Sequence, residues 1–537
     1  MKRLVLCLLA LSILLSATGC DLISLFPEET LSANASPSDT LPANTQPTGT
    51  LPEETKPVEV EEAIVPLEVF VGNQYISEWT DDYIILGYVD WDCLILGEKS
   101  AKEYPKLAAA IDEYCEMDGA WAEEVLQSML PEARKMAQQM GNEFYGYCQE
   151  TTCSIQRADS RILSARFDCY AYTGGARPYS STAALNMDPT TGNALVLSQV
   201  LTDKDRLPEL LTQVLEDNYP DLHDAAFGDL KQILENYDEQ TYTWTLGYQG
   251  ITFYFDASEI APAAMGPLEA TLWFDRYPEL FVEGYTQIPQ GGYAIHVPED
   301  TWLAVDMNTN DDSWEQIHVS LDDDGTLHIT KNGNTLSDGD YFAFYADSYL
   351  VTPDNEHFYL YVDCSAENDY SIFRVYDMNG EEPVLIRLFE GEGFSGVWIE
   401  DYILGSTWFN AVFNDPTHFL LAGHLNILGT MSGTRPFHMD PETGLPMADE
   451  NYYTLPTQRE PLVTKTVVTV KLLPEKTDLE LPASTQLWFL RSDGETYVDM
   501  LLKDGRQCRV YVTYRDWQGY VDGKPEDECF EGIMYAG

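Results

Sequence analysis

Apolar and polar positions alternate from Val69 to Tyr75 and from Tyr83 to Leu96, in runs rich in β-branched and aromatic residues, and both read as strands. The period then changes. Leu107, Ile111, Tyr114 and Cys115, followed by Trp121, Val125, Leu126 and Met129, recur at helical spacing, and Pro131 is placed to open a further helix towards Met140. Strand patterning returns from Arg161 to Tyr172 and from Ser181 to Met187. Asp188-Pro189-Thr190-Thr191-Gly192 then forms a tight turn into an apolar run from Ala194 to Val200. Helices are expected around Leu207 to Asn218 and Leu230 to Tyr237. Strands are expected from Tyr242 to Leu246, Ile251 to Phe255 and Leu268 to Phe274. Strands with helices inserted between them predict an α+β layer fold over residues 64–288, an antiparallel sheet covered on one face.

Residues 290–460 change character to short candidate strands, among them Ala294 to Val297, Trp302 to Asp306, Tyr341 to Ala346 and Val384 to Phe389. Asn332-Gly333 and Asn379-Gly380 are the strongest hairpin signals in the chain. One stretch, Tyr349 to Asn355 followed by strand, turn and Tyr376 to Gly380, looks like a propeller blade. Without a clear repeat, a partial propeller and a small sandwich remain open. Residues 462–537 alternate around Ser492-Asp493-Gly494 and Lys503-Asp504-Gly505 and resemble a bacterial SH3-like β-barrel.

The N-terminus differs from all of this. Lys2 and Arg3, an apolar run from Leu4 to Leu15 and Ser16-Ala17-Thr18-Gly19-Cys20 read as a lipoprotein signal over residues 1–20, with Cys20 as the lipidated residue. Release after an ordinary signal peptide is the alternative. Residues 21–62 turn to Ser, Thr, Pro, Asn and Glu and read as a disordered tether. These features place the folded part on the extracellular face of the cytoplasmic membrane, held there by a lipid anchor.

Charge narrows the partners. There are 30 basic against 89 acidic residues, a formal net charge of -59. Nucleic acid and anionic wall polymers are repelled, and cationic proteins or peptides are attracted. An acidic surface also serves solubility alone. After Cys7 and Cys20, eight cysteines remain, and their spacing fixes no connectivity; Cys508 and Cys529, close in one small module, are the first pair to test. Buried free thiols are the equal alternative.

Two loops of small residues stand out. The first is Tyr172-Thr173-Gly174-Gly175-Ala176-Arg177-Pro178, and the second runs from Tyr254 through Asp256-Ala257-Ser258-Glu259-Ile260-Ala261-Pro262 to Pro267. Glycine permits positive φ, and proline fixes φ and withdraws a donor, so these loops are shaped for contact rather than reaction. Taken in order, about eighty residues apart and with the Asp188 to Gly192 turn between them, they resemble the signature of the extracytoplasmic domain of RsiV-type anti-sigma factors. That domain also occurs beside peptidoglycan deacetylases. Arg177 stands where that family has His, Ala257 where it has Pro, and Ser258 and Ala263 where it has Tyr. Better-known members of the family bind lysozyme outside the cell. The resemblance implies a contact surface of Tyr172, Gly174, Gly175, Arg177 and Pro178 beside Glu259, Ile260, Ala261 and Pro262, taking a cationic protein or a peptidoglycan fragment.

Candidate chemistry is sparse. His418, His424, His438 and Asp440 are the nearest approach to a metal or acid–base cluster, without a matching carboxylate motif. No catalytic residue, metal or cofactor is expected. Trp398, Trp408, Trp488 and Trp517 suit either a glycan groove or a core. The expectation is therefore a non-enzymatic surface lipoprotein with a binding module. A cell-wall hydrolase and a purely structural wall lipoprotein are the alternatives.

Overall fold

Alternation in the first two strands is realised as the middle of a seven-stranded sheet, which the computed structural model builds from two distant stretches of the chain. It describes residues 63–307, 314–339, 342–365, 370–403, 405–456, 460–515 and 518–535. The signal segment with Cys20 and the tether at 21–62 lie outside the described residues. The sheet contains β1 (Val69–Trp79), β2 (Ile85–Leu96), β3 (Tyr147–Ala158), β4 (Leu163–Tyr172) and β5 (Tyr179–Met187), in that spatial order. A hairpin of Gly396–Tyr402 and Gly405–Ala411 extends it beyond β1, with Gly72 opposite Phe409. One pair, β2 with β3, is parallel, where sequence patterning predicts an antiparallel sheet throughout. The cause is the helix between them: a long crossover returns the chain to the same end of the sheet, as parallel pairing requires.

That crossover is α1 (Pro105–Met140), a single helix with Pro131 inside it rather than at a second start. Leu126, Met129, Leu130, Ala133 and Ala137 are buried on either side of the proline, and their packing on the sheet carries the helix through the missing N–H. Trp91, Val89, Leu107, Ile111 and Phe167 share this core with Phe409 from the late hairpin. The turn at Asp188 forms as read, with Gly192 N–H donating to Asp188 O and Gly192 at φ +68°. A Cβ on Gly192 would lie 2.4 Å from Lys106 O, so the turn sits against the first residues of α1.

A second layer holds α2 (Leu207–Asn218), α3 (Leu230–Glu235), β6 (Thr243–Leu246), β7 (Gly250–Phe255) and β8 (Leu268–Trp273) around a leucine-rich core. It is stitched to the first sheet by buried polar groups. Ser164 Oγ donates to Asn186 Oδ1 (2.6 Å), Asn186 Nδ2 to Trp244 O (2.7 Å) and Leu246 N to Ser164 Oγ (2.9 Å).

The remaining strands form a four-stranded sheet, a five-stranded sheet and a twelve-stranded sheet, besides a small three-stranded one. Asn332-Gly333 is a two-residue hairpin turn with both residues at positive φ, joining Leu327–Lys331 to Asn334–Asp338. Asn379-Gly380 instead lies in a longer loop, where Asn379 Oδ1 accepts from Phe358 N. The strand expected from Tyr341 to Ala346 is displaced to Tyr345–Thr352. The twelve-stranded sheet crosses residue 460, pairing Tyr453 with Ser492, and no closed barrel forms among the described residues. Cys508 and Cys529 are buried free thiols in its core.

Buried polar groups hold the chain just before residue 288 to β3, and one residue beyond the 288–290 boundary reaches back across it. Arg157, fully buried, donates to Asp159 Oδ2 (2.7 Å), Tyr285 O (2.6 Å) and Gln287 O (2.8 Å). Asn414 Nδ2 donates to Leu67 O (2.8 Å) and Ala158 O (2.9 Å). Residues Glu62–Gly537 accordingly cluster as one compact unit.

Candidate functional site

Side chains alternate across a strand, so covering one face of the first sheet with α1 turns every second residue to the other side. Gly72, Cys93, Trp91 and Phe409 face the helix core. Their neighbours point away from it. On that opposite face the hairpin supplies Trp398 and Trp408, directly paired across the two outermost strands and 54% and 47% exposed. Next come Asn73, Tyr75, Ser77 and Trp79 of β1, then Tyr88, Asp90 and Asp92 of β2, then Glu150 of β3 and finally Tyr170 and Tyr172 of β4.

Hydrogen bonds knit these side chains into an ordered surface. Asn73 Nδ2 donates to Asp90 Oδ1 and, at 3.4 Å, to Asp92 Oδ1. Tyr88 donates its hydroxyl proton to Glu150 and packs its ring 5.7 Å from that of Tyr75. Trp408 Nε1 donates to Asn410 Oδ1 (2.8 Å). Burial raises the Asp90 carboxyl and pushes Asp92 up to about 6, against the Cys153 N–H that donates to Asp92 at 2.7 Å. Between them, β1, β2, β3, β4, β5 and the hairpin contain no lysine and two arginines: Arg157, which is buried, and Arg166. Arg166 is already engaged by Asp168 (2.9 Å) and Glu269 (3.5 Å) and stacks over Tyr254.

The sequence-derived loops border this face. Tyr172 ends β4, and Thr173 to Pro178 form the exposed β4–β5 hairpin loop. Gly174 and Gly175 take φ +90° and +113°, and a Cβ on Gly174 would press to 3.0 Å of the Tyr147 hydroxyl. Arg177 and Pro178 are exposed. The second loop docks within β5 through its Asp256 carboxylate, which accepts from Thr182 N (2.8 Å). Burial pushes Asp256 up to about 6, with Glu259 and Asp168 adding repulsion. Glu259 and Pro262 lie at the surface, Glu259 accepting from the Tyr237 hydroxyl (2.8 Å) and Asp256 N (2.7 Å). Ile260 and Ala261, expected as contact residues, are 1% and 3% exposed in the second core. They anchor the loop, because touching a ligand would require opening that core.

Nothing local in the sequence places Trp398 and Trp408 beside β1, and Tyr75, Trp79, Asp90, Asp92 and Glu150 are not among the contact residues expected from it. The available signal was the polar phase of the alternation, Asn73-Tyr75-Ser77 and Tyr88-Asp90-Asp92, in strands without lysine. Trp488 lies on Gln486–Ser492 of the twelve-stranded sheet, and Trp517 falls outside the described residues. The histidines do not converge. His438 pairs with Asp449 and the His424 ring packs on Tyr370, and no group of three or more His, Cys, Asp or Glu converges on a metal position among the described residues.

Fold and face together define an α+β chain with an ordered acidic and aromatic surface. Residues 198–275 match the family model described as "Protein of unknown function (DUF3298)". This segment spans the second layer with its loop, and the match is consistent with the resemblance drawn from sequence. Among solved structures, a member of that family from Bacteroides fragilis NCTC 9343 is similar at 18% identity and TM-score 0.34, covering 41% of this chain and 96% of its own. A DUF3298 family protein from Pseudomonas aeruginosa PAO1 is similar at 14% identity and TM-score 0.28, with the same coverages. No curated protein matches.

Proposed function

We propose that this chain is a non-enzymatic binding protein of the cell envelope, anchored by lipid at Cys20, that holds a cationic protein through the open sheet face and the adjoining Gly174-Gly175 hairpin. The observation carrying this reading is the pairing of exposed aromatic rings with half-buried carboxylates on strands that present no free lysine. Lys and Arg side chains satisfy both partners at once, stacking over Trp and Tyr faces and ion-pairing with Asp and Glu. The RsiV-like resemblance supports a lysozyme-like partner. A second reading, a peptidoglycan fragment, is favoured by the exposed Trp398–Trp408 pair, since aromatic faces also stack on sugar rings.

The test is titration of the full chain with lysozyme, poly-L-lysine and soluble peptidoglycan fragments at low and high salt. Both cationic probes are expected to bind at low salt and weaken as salt rises. Affinity also falls from pH 7.5 to pH 5, as Asp92 takes up a proton. Neutralising Asp90, Asp92 and Glu150 together as Asn, Asn and Gln lowers the affinity at least tenfold. Binding of peptidoglycan fragments alone, lost in W398A/W408A, selects the second reading, and no response to any probe removes both.

A further inference from the structure

A sheet is open to other chains at its edges, where one row of backbone N–H and C=O groups has no strand to bond. The seven-stranded sheet treats its two edges differently. At the β5 edge the second layer closes over the strand, and Thr182 N donates to the Asp256 carboxylate (2.8 Å). The other edge is the hairpin strand Gly396–Tyr402. No strand lies beyond it in that sheet among the described residues, and Val397 and Trp398 are 36% and 54% exposed. The register shows which groups this edge offers. Ala411 N donates to Ser395 O (2.9 Å), and the pairing continues with Val397 opposite Phe409 and Trp398 opposite Trp408. In an antiparallel pair alternate residues turn their N–H and C=O towards the neighbouring strand, here Ser395, Val397 and Ile399, so those of Gly396 and Trp398 point outward. A register shift past Ile399 ends the regular stretch. Lys and Pro, which blunt many natural edges, are absent from both hairpin strands, and the outer one contains Glu400 and Asp401 without any base.

From this edge we infer that the partner is held by strand addition: an extended segment with Lys or Arg at alternate positions pairs with Gly396 to Ile399 and lengthens the seven-stranded sheet by one strand. The inference rests on the proposed binding of a cationic protein at the adjoining face, and it names the part of that protein which is gripped. Trp398 turns its N–H and C=O to the incoming strand, and the residue directly opposite projects from the same face as the Trp398 ring. A basic side chain at that position stacks on the indole, and the basic residues two positions away extend over the same acidic and aromatic surface. Backbone pairing supplies the grip and the alternate side chains supply the selection. A second copy of this chain is the wrong occupant. Pairing the edge with itself joins two strands that each contain Glu400 and Asp401 and no base, on molecules of formal net charge -59.

The test uses the full chain and end-blocked peptides of sequence Thr-Lys-Val-Arg-Val-Lys-Thr in three forms: unmodified, N-methylated on the backbone at the basic residues, and N-methylated at the valines. All three carry the same charge. In the inferred pairing the basic residues turn their N–H groups to the edge and the valines turn theirs away. The unmodified and valine-methylated forms are expected to bind within about threefold of each other, and the form methylated at the basic residues at least about tenfold more weakly. Amide exchange over residues 396–402 slows when the unmodified peptide is bound. Equal affinity for all three forms, still weakened by salt, overturns strand addition and leaves the cationic reading of the face intact. If neither these peptides nor poly-L-lysine binds, that reading falls and the inference falls with it. Slow exchange over 396–402 that rises with protein concentration in the absence of peptide overturns the inference in favour of self-pairing.

Discussion

Trp408 and Phe409 are chain neighbours on opposite faces of one strand, and their environments differ accordingly. Phe409 is fully buried against Gly72 and the Tyr402 ring, whereas Trp408 keeps half its surface in solvent. Phe409→Ala removes a packed ring and is expected to cost about 3–5 kcal/mol of stability. Trp408→Ala loses a cross-strand pairing with Trp398 and an exposed hydrogen bond to Asn410, and is expected to cost under about 1 kcal/mol. Urea denaturation of the two variants measures this difference directly. Equal losses would mean that the face bearing Trp408 is covered and unavailable to a partner.

At the level of elements, Pro131 is the informative residue. It is exposed and lies mid-helix, so α1 lacks the N–H that would donate to the carbonyl of Gln127. Pro131→Ala restores that donor and is expected to raise stability by about 1–3 kcal/mol, read as a higher urea midpoint; an unchanged or lower midpoint would refute it. Local patterning made most elements legible. The strand periods of β1, β2 and β4 to β8, α2 and the Asn332-Gly333 turn are visible because each depends on its own residues, whereas β3 is not among the strands expected from sequence. Pro131 misleads because burial further along the helix overrides a local rule. The open face is half legible: its polar phase is written into β1 and β2, but Trp398 and Trp408 reach it through pairing with residues more than three hundred positions earlier, which no local period encodes. Ile260 and Ala261 look like loop residues in sequence and are core residues in space.

Across the whole molecule, acidity sets the pH response. Burial raises Asp118 and Asp363 to about 7 and Asp92 and Asp256 to about 6, above the value near 4 of an unfolded aspartate. Between about pH 4 and 7 the native chain therefore binds more protons than the unfolded chain at these positions, and stability rises as pH falls through that window. Asp322, Asp354 and Asp493 act in the opposite sense, since hydrogen bonds hold them below their ordinary value and their contribution is lost under more acidic conditions. The urea midpoint is expected to be higher at pH 5 than at pH 7.5, and a lower one would contradict these assignments. The late hairpin carries a further consequence, for synthesis. While the ribosome is still making the middle of the chain, the outer edge of β1 at Phe70 to Gly72 has no strand beside it, and it stays open to neighbouring nascent chains until residue 411 emerges.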